Sequence, residues 1–161
     1  MAPATAYVGL GANLGDARAT LAAALRALAA LRGCSGLRAS SVWRTAPVDS
    51  SGPDYLNAVA ALQTTLAPLE LLAALQAIEL RHGRERPYVN APRTLDLDLL
   101  LHGDAVMATR QLTLPHPRLH LRAFVLQPLL ELAPSLQAPG LGPLVAHLGA
   151  TAGQQAQRLP G

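Results

Sequence analysis

Residues 92–101, PRTLDLDLLL, leave little choice of local structure. Leu95, Leu97, Leu99 and Leu101 alternate with Asp96 and Asp98 before Leu100 closes the polar side. Alternation is a strand pattern, because successive side chains leave a strand on opposite faces. Such a strand packs leucines on one side and presents two carboxylates on the other, about 7 Å apart along the chain. Carboxylates that close repel each other and are costly to desolvate. The fold therefore needs a sheet with one apolar face, and the acids on the other are either solvated or put to use.

The elements around this strand follow from periodicity and turn residues. Residues 5–11, TAYVGLG, predict a short strand ending in the glycine-bearing turn GANLGD, with Asp16 placed to cap a helix. Leu21, Leu25, Leu28 and Leu31 form the stripe of an amphipathic helix over 17–32, which Gly33 and Gly36 stop. Residues 37–45 predict a second strand, and 55–64 a third, across a loop dense in turn formers. A second helix opens at Thr65 with Pro68 in its first turn, carries Leu72, Leu75 and Ile78, and stops at Gly83. An arginine-rich loop leads into the acidic strand. The order β-α-β-β-α-β is that of a ferredoxin-like α+β core: an antiparallel sheet in a three-layer α/β/α arrangement. A C-terminal hairpin over 102–115, a short helix near 118–132 and a proline- and glycine-rich end complete one domain, 1–161, whose last residues (150–161) are expected to fray.

Composition narrows the function classes. Half of the 161 residues are apolar but only 3% are aromatic, so the core is built from leucine, alanine and valine, and each aromatic ring stands out. All 13 basic residues are arginine, against 10 acids, and a net charge of +3 is too small to argue for nucleic acid by itself. One cysteine, Cys34, allows no internal disulfide and fits a reducing compartment. No secretory leader or membrane-spanning run is read, and the expected setting is the cytoplasm.

The residues able to do chemistry each have a plain reading beside the functional one. Alone, Asp96 and Asp98 read better as a solvated strand side. Arg84, Arg86 and Arg93 nearby shift that balance, because a polyphosphate needs both bridging cations and forked donors. Carboxylates at i and i+2 can share Mg²⁺ without an all-protein cage. Gln76 and Glu79 share a helix face and, by themselves, read as wet. Tyr55 and Asn57 share a strand face, either as a ring-binding pocket or as a satisfied core pair. Phe124 alone reads as core, and His116, between two prolines in PHP, sits in a stiff turn with or without a purpose.

WRTAPV, PDYLNAV, PRTLDLDLLL and LPHPRLHLRAFVLQPL occur in this order, and together they resemble the 6-hydroxymethyl-7,8-dihydropterin pyrophosphokinases from about residue 5 to 134. The chain departs from the usual family pattern at Ala12, Ala46 and Val89. The resemblance implies transfer of the β,γ-diphosphate of ATP to a pterin hydroxymethyl group, with release of AMP. It implies that Asp96 and Asp98 hold two Mg²⁺ ions arriving with ATP, and that Arg84 and Arg93 are catalytic. It further implies that Gln76, Glu79, Arg86, His116 and Arg122 contact ATP, and that Thr45, Val48, Tyr55, Asn57 and Phe124 contact the pterin. A monomer acting on these two small molecules, without nucleic acid or membrane, is expected. The competing readings are another Mg²⁺-dependent D-x-D transferase, which would not need Tyr55, Asn57 and Phe124 around a ring, and a non-catalytic ferredoxin-like module, which would need a basic aromatic surface.

Overall fold

The computed structural model describes residues 3–13, 16–45, 54–82 and 95–160. In chain order the elements are β1 (Ala4–Ala12), α1 (Ala17–Ala29), β2 (Cys34–Ala39), β3 (Trp43–Thr45), β4 (Tyr55–Thr64), α2 (Pro68–Arg81) and β5 (Asp96–His102). A hairpin of β6 (Met107–Ala108) and β7 (Thr113–Leu114) follows, then α3 (Ala123–Leu132). Last come the small ladder of β8 (Gln137–Ala138) and β9 (Gly142–Pro143), a 3₁₀ helix over Leu144–Thr151, and β10 (Gln157–Arg158). The main sheet runs β10-β3-β4-β1-β5, with β2 also on β4, and every pairing is antiparallel. This is the ferredoxin-like α+β sheet expected from the element order.

The helix boundaries have local causes. Asp16 caps α1 by accepting the Ala19 N–H at 3.0 Å. Gly33, at φ 82°, turns the chain where a side chain would meet Leu66 and Thr65. Pro68 opens α2, and Glu70 reaches back to accept the Ala67 N–H at 2.8 Å, so the cap falls at Ala67 rather than Thr65. The helix expected near 118–132 starts at Ala123, because 118–121 form turns. None of the described helices is long and apolar enough to cross a membrane.

Two departures from the sequence reading matter. The strand expected over 37–45 is two strands, broken at 40–42. Ser40 causes the break: its N–H donates to the Val59 carbonyl and its hydroxyl accepts the Val59 N–H, so a side chain replaces part of the ladder. The end expected to fray instead carries β10 back onto β3, pairing Gln157 with Arg44 and Arg158 with Trp43.

The sheet has helices on both faces. Toward α1 and α2 it offers Val8, Leu10, Ala60, Leu62, Leu97 and Leu99, which meet Leu21, Leu28, Leu71, Leu75 and Ile78. Each such leucine contributes about 2 kcal/mol through burial. Toward α3 it offers Tyr7, Val59, Ala61, Leu100 and Leu101, which meet Val125, Leu126 and Leu129. β5 serves both cores by alternation, Leu97 and Leu99 on one side and Leu100 on the other, and a one-residue register slip adds to the second: Val8 pairs with Leu99 but Tyr7 with Leu101. The intervening Leu100 is a bulge, and it sends Leu101 to the face it would otherwise avoid.

Candidate active site

α3 covers only part of its face of the sheet. Beyond it lies a cavity of about 900 Å³ floored by β1, β4 and β5. Gly11 pairs with Asn57 on one side and Asp96 on the other, and Gly9 with Val59 and Asp98. Two glycines on one face of a strand leave the floor bare between an amide and the acids. A Cβ at Gly11 would stand 3.2 Å from the Asn57 Oδ1, so any larger residue here would press the amide out of place by a few tenths of an ångström. Neither glycine was a candidate from sequence, although their i and i+2 spacing on an apolar strand was the available signal.

Asp96 is half-buried and Asp98 exposed, both on the cavity face of β5, while Leu97 and Leu99 are buried behind them. Asn57, only 6% exposed, donates from Nδ2 to Thr45 Oγ1 at 3.0 Å, joining β4 to β3 across the wall. Tyr55 and Phe124, both half-buried, line the same space from β4 and α3. The Arg122 guanidinium lies 5.4 Å from the centre of the Phe124 ring, a cation–π distance. Thus Thr45, Tyr55, Asn57, Asp96, Asp98, Arg122 and Phe124 share one cavity, and Arg118, not singled out from sequence, joins them.

A second cavity of about 280 Å³ adjoins the first, lined by Leu72, Arg110, Gln111, His116 and Asp98 among others. Asp98 belongs to both. The His116 N–H donates to the Leu100 carbonyl at 3.0 Å, just beyond the cis Leu114–Pro115 bond. Its Nδ1 accepts the Arg118 N–H at 3.2 Å, so the ring proton sits on Nε2. Burial lowers the His116 pKa from 6.5; Asp98 opposes this, and Arg122 and Arg118 add to it. The ring is a neutral donor at pH 7.

Other candidates lie elsewhere. Gln76 is exposed on α2 and lines neither cavity. Glu79, read as wet from sequence, is 4% exposed and accepts the Leu97 N–H at 2.8 Å. It ties α2 to β5 between the two aspartates, a tertiary contact that helical spacing does not reveal. Val48, Arg84, Arg86 and Arg93 lie outside the described residues.

The donor set suits magnesium. Among the described residues no group of three or more His, Cys, Asp or Glu gathers to hold a metal ion, so there is no closed protein cage. Two carboxylates facing an open cavity fit a small hard cation that keeps its waters and takes phosphate oxygens.

An antiparallel α+β sheet carrying paired acids between an aromatic cavity and a smaller one bearing Arg110 and His116 suits an enzyme of phosphate transfer. The family model for 7,8-dihydro-6-hydroxymethylpterin-pyrophosphokinase matches residues 7–134. A 2-amino-4-hydroxy-6-hydroxymethyldihydropteridine pyrophosphokinase from Pseudomonas aeruginosa is 44% identical over 156 residues, covering 96% of each chain. The enzyme of that name from Haemophilus influenzae is 43% identical over 136 residues, 84% of this chain and 85% of its own. A solved Plasmodium falciparum HPPK-DHPS superposes with a TM-score of 0.74 at 14% identity; it shares the fold over 91% of this chain, which spans 45% of its length. The chain belongs to the 6-hydroxymethyl-7,8-dihydropterin pyrophosphokinase family, and is an ATP-dependent diphosphotransferase of folate biosynthesis.

Proposed function

We propose that the chain moves the β,γ-diphosphate of ATP onto the hydroxymethyl oxygen of 6-hydroxymethyl-7,8-dihydropterin and releases AMP, working as a single-domain monomer in the cytoplasm without nucleic acid or membrane. The supporting observation is the wall shared at Asp98. On one side lies a cavity with Tyr55, Asn57 and Phe124, and on the other a cavity with Arg110 and His116.

The pterin occupies the larger cavity. Tyr55 and Phe124 take its ring faces and Asn57 its polar edge, while Thr45 orients that amide; the family resemblance adds Val48 as a further pterin contact. The bare backbone at Gly9 and Gly11 lets the hydroxymethyl arm reach the acids. ATP lies toward the smaller cavity, with Gln76 and Glu79 on the α2 side and Arg86 and Arg122 on the phosphates. His116 donates its Nε2 proton to a phosphate oxygen, and its Nδ1 lone pair, already taken by the Arg118 N–H, does not serve as a base.

Asp96 and Asp98 would hold two Mg²⁺ ions arriving with ATP. Bound there, magnesium neutralises polyphosphate charge and favours ionisation of the nucleophile. The chain's own part is positioning. The acids and arginines fix the hydroxyl in line with the β-phosphorus, and Arg84 and Arg93 add positive charge where the leaving group departs. The new oxygen–phosphorus bond forms as the bond from the β-phosphorus to the AMP oxygen breaks. The hydroxyl proton leaves to solvent.

The test is nucleotide analysis of a reaction containing MgATP with and without the pterin. One AMP per diphosphorylated pterin is expected, and none when the pterin is omitted. ADP as the product would overturn the reading.

A further inference from the structure

We infer that Gln154 is a positioning residue of the active site, setting the backbone that carries Arg122 and Phe124. This rests on the reading of those two residues given above. Gln154 lies twenty residues beyond the last one matched by the family model, in a stretch that sequence reasoning expected to fray.

Arg122 occupies the N-cap position of α3 with extended backbone (φ −125°, ψ 119°) and makes no side-chain cap bond of its own. An Arg cannot cap as Ser or Asp does, so the first turn of α3 needs an acceptor from elsewhere. Gln154 supplies it. Its Oε1 accepts the Ala123 N–H at 2.9 Å, and its Nε2 donates to the Leu121 carbonyl at 2.8 Å. One side-chain amide therefore grips the main chain immediately before and immediately after Arg122. Both ends of this bracket are fixed in geometry, so the direction in which Arg122 leaves the backbone is fixed too. Phe124 follows two residues later and stacks with that guanidinium.

Gln154 is itself held on both sides. Its N–H donates to the Thr151 carbonyl at 2.9 Å. Downstream, β10 pairs with β3, and the Leu159 N–H donates to the Val42 carbonyl at 2.8 Å. The C-terminal segment thus runs as a strap from the 3₁₀ helix to the edge of the sheet, and Gln154 and Gln155 form part of the cavity wall. The side chain of Gln154 is exposed, so its substitution spares the core.

The full-length Gln154→Met variant keeps the shape and removes both bonds. We expect kcat/KM for the pterin to fall roughly tenfold, the size of effect that slight misplacement of a substrate contact produces. The melting midpoint should stay within a few degrees of the parent. Gln154→Glu retains an acceptor for the helix N-terminus but cannot donate to Leu121. It should hold the melting midpoint and still lose activity, which a purely stabilising cap would not do. In an Arg122→Lys background Gln154→Met should add little, since both changes disturb one device. Parental kinetics for Gln154→Met, or equal losses in both backgrounds, would overturn the inference. Arg122→Lys with parental kinetics would sink the reading of Arg122 as well, whereas an impaired Arg122→Lys beside an unaffected Gln154→Met would sink this inference alone.

Discussion

Toward α1 and α2 the central strands present Val8, Leu10, Ala60, Leu62, Leu97 and Leu99, all buried under two helices. Toward α3 the same strands present Tyr7, Val59, Leu100 and Leu101 for part of their length, and Gly9, Gly11, Asn57, Asp96 and Asp98 for the rest. One face spends its residues on packing. The other is finished by one short helix and leaves its remaining half open. The difference teaches that the polar half can be specialised because the apolar face carries the stability. A group such as Asp98 need not contribute to folding, and a group such as Leu75 need not touch a substrate.

That division can be broken most directly at Asp96. Asp96→Asn should lower turnover by about 10³-fold while pterin affinity stays within about threefold, since the amide keeps the shape but not the charge. AMP-release rates and calorimetric titration check both halves; near-parental turnover would end the metal assignment. Leu75→Ala probes the opposite face. Leu75 is 1% exposed within the α2 packing, and its truncation should cost about 3 kcal/mol in urea unfolding. The kcat of the folded variant should be unchanged, and a parallel fall in kcat would show the faces to be coupled.

The smallest effect is expected at the rim, where Glu131 at the end of α3 accepts from the Ser41 N–H, the Ser41 hydroxyl and the Trp43 indole. Burial pushes its carboxyl up, but the hydrogen bonds from Ser41 and Trp43, together with Arg158, outweigh it and leave the pKa below the ordinary 4.5. A lowered carboxylate pKa means stability that is complete above 4.5 and disappears as pH falls through the folded-state value. Glu131→Gln should therefore destabilise by less than about 1 kcal/mol at pH 7, the group being exposed. Thermal melts of the two proteins should converge in acid, and a gap persisting at low pH would disprove the link.

The order of elements was legible because each carries its own periodicity: alternation in β5, the leucine stripe in α1, Pro68 before α2. The acids, Tyr55, Asn57 and Phe124 were legible as candidates because charge and aromatic rings are scarce in this chain. What escaped depended on partners distant in sequence. The break at Ser40 exists because of Val59, the burial of Glu79 because of Leu97, and the order of the C-terminal segment because of β3 and α3. Gly9 and Gly11 went unremarked because a missing side chain signals only when its neighbours across the sheet are known.

The extra residue at Leu100 has a wider consequence. One step out of phase sets Leu101 beside Leu100, so that seven residues begin as an acid-bearing rim and finish with two adjacent leucines in a different interior. Chemistry and scaffolding are thereby decoupled along a single length of backbone, so the acids can be exchanged without disturbing the leucines, and the leucines without swinging the acids away.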